Sequence, residues 1–140
     1  MEVKVFKYSD GIEDCLKLRQ IIFIEWQKVP YERERDGKDD VAIHFLLQDK
    51  NAPIGVARII FQDENPIIER LGILKTYRKN DAGTILMKYI LNYCKIKNHK
   101  KAKLSSQEHA VSFYQKLGFK IISERYFDAN IPHFKMEIEF

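Results

Sequence analysis

The feature that most constrains the fold is a run of three strand-like segments between residues 42 and 74, joined by two short polar turns. The segments are AIHFLLQ (42–48), IGVARIIF (54–61) and IIERLGIL (67–74). The turns, KNAP at 50–53 and QDENP at 62–66, are too short for parallel crossovers, which need a dozen or more residues. This stretch therefore predicts an antiparallel meander.

Helical patterns flank the meander and predict a mixed sheet. A helix over 82–98 would join strand 67–74 to strand 103–107 as a right-handed crossover, so these two strands should run parallel. The other predicted elements are a strand at 2–8, a helix at 12–26, a strand over 101–107, a helix at 108–117, and strands at 119–127 and 133–140. The fold class is α/β: about seven strands, mostly antiparallel with one parallel pair, and helices on both faces.

Composition supports one domain spanning 1–140, since 45% of the 140 residues are hydrophobic and 12% are aromatic. Only 6 Gly and 4 Pro exclude collagen-like and low-complexity classes. Segment 31–40, YERERDGKDD, predicts a solvated loop or a short helix under no packing pressure. Cys15 and Cys94 lie in apolar helical patterns, which predicts buried, reduced thiols. We expect a cytoplasmic protein with no membrane partner and no metal site, because no long apolar segment and no ligand spacing is present.

Five lysines cluster around His99 and raise a nucleic-acid hypothesis. They are Lys95, Lys97, Lys100, Lys101 and Lys103, and the net charge is +4. Cations also complement the negative end of a helix dipole, and no aromatic residues interleave the run as strand-stacking sites require. We therefore expect a solvated helix end and no nucleic-acid partner, with a basic nucleic-acid-associated domain as an alternative.

The junction between strand 67–74 and helix 82–98 has the strongest chemical signal. Gly72 inside a strand indicates a bulge, or the close approach of another backbone or a ligand. The following loop carries Arg78, Lys79 and Gly83. Free N–H groups at a helix start, together with these cations, can bind an anion. The alternative is an ordinary strand-to-helix connection with a flexible glycine.

Two motifs in this region and a third one downstream resemble the GNAT acetyltransferases. Residues 78–83, RKNDAG, resemble the family loop that cradles the coenzyme A pyrophosphate, and ERLGIL (69–74) resembles the bulged strand that pairs with pantetheine. Residues 107–119 are similar to the signature Asn-x-x-Ala-x-x-hydrophobic-Tyr-x-x-x-Gly-Phe. The stretches at 23–30 and 131–136 resemble the ElaA/YjcF-like bacterial branch. The resemblance covers nearly the whole chain.

The resemblance implies a GNAT-like fold and an N-acetyltransferase. Its partners would be acetyl-CoA and the primary amine of a small molecule, reacting directly in a ternary complex; a homodimer is left open. The residues implied to bind the cofactor are Leu71, Gly72, Ile73, Arg78, Lys79, Asn80, Asp81, Ala82, Gly83, Thr84 and Gln107.

Tyr114 matches the family tyrosine, which implies a general acid that protonates the departing thiolate. The alternative is a half-buried aromatic, although helical spacing turns it away from the apolar stripe. The base stays open. Glu69 is the first candidate for the base. Glu25, His44 and His133 are the other candidates, and we expect these three residues on the side of the site that binds the acceptor substrate.

Two positions depart from the family pattern. Asp81 stands where the family has glycine, and Gln107 stands where it has asparagine. Asp tolerates positive φ better than most residues, so the loop can still turn. A carboxylate beside a pyrophosphate is nonetheless repulsive. A second hypothesis is therefore an acyl-CoA binding module whose catalysis is lost or weakened.

Overall fold

The computed structural model describes residues 1–140 and contains one eight-stranded sheet in the order β1-β2-β3-β4-β5-β8-β6, with β7 also paired to β8. The strands are β1 (Glu2–Lys7), β2 (Ile43–Asp49), β3 (Ala52–Gln62), β4 (Asn65–Ile73), β5 (Lys101–Gln107), β6 (Lys120–Ile121), β7 (Tyr126–Asp128) and β8 (Ile131–Glu139). The helices are α1 (Glu13–Arg19), α2 (Tyr31–Glu34), α3 (Ala82–Ile96) and α4 (Val111–Lys116). No helix has the length and apolar character needed to cross a bilayer.

The predicted meander and its crossover are confirmed. Strands β2, β3 and β4 pair antiparallel in sequence, and β4 runs parallel to β5. The parallel pairing is short: only Ile67↔Lys103 and Ile68↔Leu104 are partners. Beyond these pairs the two strands diverge, and a gap opens in the sheet towards their carboxyl ends.

Helices cover both faces of the sheet, as predicted, and each face has its own core. The α1 side packs Cys15, Leu18 and Ile22 against Leu46 of β2, whereas α3 packs against Phe45 and its neighbours on the opposite face. Successive strand residues point to opposite faces, so β2 is buried on both sides. Cys15 and Cys94 are both buried, and neither forms a disulfide.

The predicted helix at 12–26 changes type partway along. It is α-helical to Arg19 and π-helical over Gln20–Trp26, and the Gln27 N–H then bonds to the Ile22 carbonyl five residues earlier at 3.2 Å. Residues 21–24 are apolar on every side, so their pattern gives no sign of the change in period. Similarly, the predicted helix at 108–117 begins as a 3₁₀ turn over Glu108–Ala110, and only α4 is α-helical.

The prediction of a continuous strand at 119–127 is wrong, because the segment is interrupted between β6 and β7. The Lys135 N–H donates to the Ser123 Oγ at 2.9 Å, so a hydroxyl takes the place of a ladder carbonyl. The interruption divides one predicted strand into two and brings the sheet to eight strands instead of about seven.

For segment 31–40 the predicted short helix is present, but the expectation that it is under no packing pressure is wrong. The segment forms α2 and a 3₁₀ turn over Asp39–Val41, and Glu34 is fully buried. Its carboxylates pair with buried arginines from distant elements: Glu34 with Arg19, and Asp36 with Arg58. A charged run looks solvated in sequence because its partners are far away along the chain.

Candidate active site

A cleft of about 840 Å³ occupies the gap where β4 and β5 separate. Its walls come from the ends of these strands, from the end of the π-helical segment with α2, and from α4 and the β7–β8 connection. Lining residues include Trp26, Lys28, Arg33, Glu34, Glu69, Arg70, Leu71, Arg78, Ser105, Gln107, Tyr114, Asp128 and His133. Of the predicted site residues, the cleft brings together Glu69, Leu71, Arg78, Gln107, Tyr114 and His133, whereas Glu25, His44, Gly72, Ile73 and residues 79–84 do not line it.

A β-bulge in β4 lies along this cleft. Glu69 pairs with Arg58 and Gly72 pairs with Val56, so Arg70 and Leu71 together oppose a single residue of β3. Arg70 has a left-handed φ of 58°. A bulge leaves backbone groups without ladder partners, and β5 has already diverged on the other side. Polar backbone groups at the bulge are therefore available to a ligand.

Gly72 lies beside the bulge and beneath the π-helical segment. A Cβ at this position would stand 2.9 Å from the Ile22 Cγ2 atom and 3.1 Å from the Phe23 ring, so glycine permits the helix to approach. Leu71 lines the cleft, whereas Gly72 and Ile73 are buried. The strand glycine thus marks close packing next to the bulge.

The loop before α3 presents an open helix N-terminus. Asp81 is the N-cap residue with φ 57° and ψ 19°, and its side chain makes no capping hydrogen bond. The first-turn N–H groups of Ala82, Gly83 and Thr84 thus have no side-chain cap, which favours an anion there. Asp81 adopts the left-handed turn without glycine; it is exposed, as are Lys79 and Asn80.

Arg78 connects this loop to the cleft. Its Nε donates to the Ile73 carbonyl at 3.2 Å, and its guanidinium lies 5.7 Å from the centre of the Trp26 ring. The Lys75 Nζ lies 4.5 Å from the same ring. Two cations therefore border the cleft near the start of α3, and neither pairs with a carboxylate.

Tyr114 lines the cleft from α4. Its ring packs edge-on against Phe113, with centroids 5.0 Å apart, and against Phe119 at 5.9 Å. Burial raises the pKa of the Tyr114 hydroxyl to about 12. The hydroxyl therefore stays protonated at neutral pH and can act as a donor, so packing and chemistry are compatible here. Gln107 lines the same cleft from the end of β5.

His133 is held in a fixed orientation on the cleft wall. Its Nδ1–H donates to the Ile131 carbonyl at 2.7 Å, which leaves the lone pair of neutral imidazole on Nε2. Tyr126 stacks on the imidazole with centroids 5.8 Å apart, and the Tyr126 hydroxyl hydrogen-bonds to Ser105. A preoriented imidazole with a free Nε2 is suited to accept a proton.

The other base candidates are less well placed. Glu69 lines the cleft, but its Oε1 accepts hydrogen bonds from Arg58 Nη2 at 2.8 Å and Nε at 3.2 Å. Glu25 is exposed and does not line the cleft. His44 is fully buried and bonds through Nε2 to the Asp39 carbonyl at 2.9 Å; burial lowers its pKa. This placement corrects the expectation that His44 lies on the acceptor side.

Sequence reasoning missed a buried cluster of arginines and carboxylates behind the cleft. Arg19 and Arg58 are both fully buried and share Asp39, while Arg58 also binds Asp36. Burial by itself raises the pKa of Asp36. Hydrogen bonds from Arg58 and the Lys38 N–H, together with the nearby cations, outweigh burial and lower the pKa from 3.8 to about 2. An arginine in the middle of an apolar strand, IGVARIIF, was the available signal, because a buried charge needs a partner.

The lysine cluster of residues 95–103 is divided between two elements. Lys101 and Lys103 each lie 3.8 Å from Glu137 of β8. Lys97 lies over the Tyr93 ring at 5.6 Å. The shared ion pair with Glu137 offsets part of the charge that the cluster presents.

Comparison with known proteins agrees with this architecture. Residues 25–140 match the family model described as an acetyltransferase (GNAT) domain. The chain is 31% identical over 137 residues to the uncharacterized N-acetyltransferase YjcF of Bacillus subtilis, covering 97% of this chain and 98% of the relative. The crystal structure of Escherichia coli ElaA superposes with a TM-score of 0.87 at 28% identity, covering 99% of both chains.

A more distant structure has a ligand. A GNAT family acetyltransferase from Elizabethkingia anophelis, with acetyl-CoA bound, has a TM-score of 0.77 at 17% identity and covers 99% of this chain and 98% of that chain. At this identity the likeness shows the shared fold. With the family model spanning most of the chain and the full-length match to YjcF, the resemblance found in the sequence is confirmed: the chain belongs to the GNAT N-acetyltransferase family.

Proposed function

We propose that the protein transfers the acetyl group of acetyl-CoA directly to the primary amine of a small molecule in a ternary complex. The observation that carries this proposal is the β4 bulge, which lies in one cleft with Tyr114, His133 and Arg78, the residue that connects the cleft to the loop before α3. The GNAT neighbour with acetyl-CoA bound supports the choice of acyl donor.

The binding surface for acetyl-CoA runs from the start of α3 to the bulge. The first-turn N–H groups of α3 and Arg78 would receive the pyrophosphate, since both supply positive charge to an anion. The exposed side chains of Lys79 and Asn80 lie beside this position. Backbone groups of β4 around Leu71 would pair with the pantetheine amides, and Gln107 faces them across the gap.

The cleft residues supply what acyl transfer needs. An N–H group of the bulge would polarise the thioester carbonyl, as in an oxyanion hole. His133 Nε2 would take the proton of the attacking amine, directly or through water. The new C–N bond forms as the C–S bond breaks, and the Tyr114 hydroxyl donates towards the departing sulfur. Glu69 is the alternative base, but its ion pair with Arg58 favours a structural role.

The test combines binding and turnover. Calorimetry measures coenzyme A affinity, and a thiol-reactive dye measures release of free coenzyme A from acetyl-CoA with a panel of primary amines. We expect binding and an amine-dependent release of thiol. Binding with no turnover for any amine favours the acyl-CoA binding module; absence of coenzyme A binding contradicts both functions.

A pair of charge reversals tests the location of the cofactor site. Arg78→Glu should weaken coenzyme A binding by roughly tenfold or more, because a charge-assisted contact is replaced by repulsion. The matched control is Lys17→Glu, an exposed position on α1. Equal affinity of both variants and the wild type would remove Arg78 from the site.

A further inference from the structure

The bulge of β4 is attached through its side chains to the buried arginine–carboxylate cluster. We propose that Arg70 and Glu34 are positioning residues that hold the bulge in the geometry needed for acyl transfer. This inference rests on the proposed acetyl transfer.

Arg70 has a backbone conformation that needs support. It is a long side chain at φ 58°, a region that non-glycine residues occupy only when the surrounding structure holds them there. Its Nε donates to Glu34 Oε2 at 2.9 Å, and its Nη2 donates to the Arg33 and Glu34 carbonyls at 3.1 and 3.3 Å. Three hydrogen bonds therefore tether the bulge residue to α2.

Glu34 is itself held by buried contacts. It is fully buried, and Arg19 Nε lies 2.9 and 3.2 Å from its two carboxylate oxygens. Arg19 is also fully buried and binds Asp39 as well. The chain of contacts Arg19–Glu34–Arg70 thus connects the bulge to the interior of the α1 side.

A second arginine holds the residue on the other side of the bulge. Arg58 of β3 binds Glu69 at 2.8 Å and Asp36 at 2.6 Å, and Asp36 accepts a longer bond of 3.4 Å from Arg70. Glu69 and Arg70 are therefore both fixed. If the bulge relaxed into a regular ladder, the register would shift by one residue and every following side chain would change face. The backbone donors proposed for the thioester would be lost.

The cluster is poorly explained by stability alone. Replacing buried ion pairs with apolar residues of similar size is often neutral or stabilising. A purely structural purpose therefore does not require four arginines and four carboxylates at this place. Two of these side chains, Glu69 and Arg70, belong to the two sides of one bulge, and the cluster holds both of them.

Two arginine variants separate positioning from structure. Arg35 also pairs with Glu34, at 3.0 Å, and its side chain is 20% exposed against 21% for Arg70, but it does not line the cleft. Arg70→Met should lower kcat at least tenfold and weaken coenzyme A binding by a smaller factor, because the pyrophosphate end of the cofactor site does not depend on the bulge. Arg35→Met should keep kcat within twofold. Arg70→Lys should recover part of the rate, and Glu34→Gln should lower kcat in the same direction as Arg70→Met.

The position of the bulge is measured independently of turnover. Amide ¹H–¹⁵N spectra and hydrogen exchange should show residues 69–72 displaced or deprotected in Arg70→Met and unchanged in Arg35→Met. Equal effects of both variants on rate and spectra, or losses confined to thermal stability, would overturn the inference. Loss of coenzyme A affinity with kcat intact would overturn it too. A wild type that binds coenzyme A but never turns over contradicts the proposed function. In that case the spectra still test the positioning role, because unchanged amide signals of residues 69–72 in Arg70→Met would refute it.

Discussion

Asp81 adopts the left-handed backbone conformation at a loop position where the family pattern has glycine. Its φ of 57° shows that the turn is made, and the exposed carboxylate remains beside the first turn of α3. Glycine would adopt this conformation without steric cost and without charge. Asp81 therefore meets the geometric requirement of the loop, and only the effect of its negative charge on the ligand is left to test.

Asp81→Gly should tighten coenzyme A binding roughly three- to tenfold, because it removes a negative charge near the pyrophosphate position. The gain should be larger at low salt, since screening weakens surface charges. Asp81→Asn should recover only part of it. Titration of coenzyme A into the three proteins at two salt concentrations measures this. Equal affinities would mean that the carboxylate does not act on the ligand, and the weakened-enzyme hypothesis would lose its main support.

Tyr114→Phe should lower turnover roughly 10²-fold or more while leaving coenzyme A affinity unchanged, because its hydroxyl would act on the leaving thiolate. With its pKa raised to about 12, the hydroxyl is protonated below that pH. The rate of the wild type should therefore show no decline from tyrosine ionisation between pH 7 and 10. Stopped-flow measurement of the chemical step decides the matter. A phenylalanine variant with the full rate would assign Tyr114 to packing alone.

At the scale of elements, local sequence patterns predicted the features that depend on hydrophobic period and turn length. The meander, the crossover helix α3 and the parallel pair follow from apolar spacing and short turns, and all three are present. The π-helical segment and the break between β6 and β7 do not follow. The first occurs in a run of apolar residues, and the second coincides with a hydrogen bond from the Lys135 N–H to the Ser123 hydroxyl, so neither changes the hydrophobic pattern.

The residues of the candidate site also differ in how far the sequence could predict their positions. The GNAT motifs placed Arg78, Tyr114 and Gln107 on a common cleft, because these residues are local in sequence to the elements that carry them. The burial of His44 and of Glu34 was not predictable, since each depends on contacts between distant segments. Charge in segment 31–40 was visible, but its arginine partners were not.

The loop between α2 and the 3₁₀ turn, which contains Asp36, should make stability depend on pH in the acid range. The pKa of Asp36 is lowered from 3.8 to about 2 in the folded protein. A depressed folded pKa gives stabilisation that is present above about pH 4 and lost as pH falls towards 2. Asp36→Asn should therefore reduce stability at pH 7 and flatten the decline between pH 4 and 2.

Urea unfolding at pH 7, 4 and 2.5 tests this prediction. Asp40→Asn is the matched control, because Asp40 is an exposed aspartate in the same segment and makes no ion pair. The control should keep the pH dependence of the wild type. An Asp36→Asn protein with an unchanged slope between pH 4 and 2.5 would show that the ion pair with Arg58 contributes nothing to folding.

At the scale of the whole molecule, the charge of the cleft is organised by pairing. Each carboxylate that lines it has an arginine partner: Glu34 with Arg70, Glu69 with Arg58, and Asp128 with Arg33. The lining cations Lys28, Lys75 and Arg78 have no carboxylate partner. The cleft therefore carries a positive excess that favours the phosphates of coenzyme A and offers no free carboxylate to a second ammonium group.

Polycationic amines should consequently be poorer acceptors than monoamines whose remaining groups are neutral or anionic. We expect kcat/KM for spermidine or an aminoglycoside to be at least tenfold below that of the best monoamine, because each extra ammonium would be desolvated without a partner. Arg33→Gln frees Asp128, whose 2.9 Å ion pair lies at the exposed rim of the cleft. That variant should narrow the difference, whereas Lys17→Glu, outside the cleft, should not. A wild type that prefers polycations would show that an acceptor displaces these arginines from their carboxylates, so that pairing in the free protein does not set specificity.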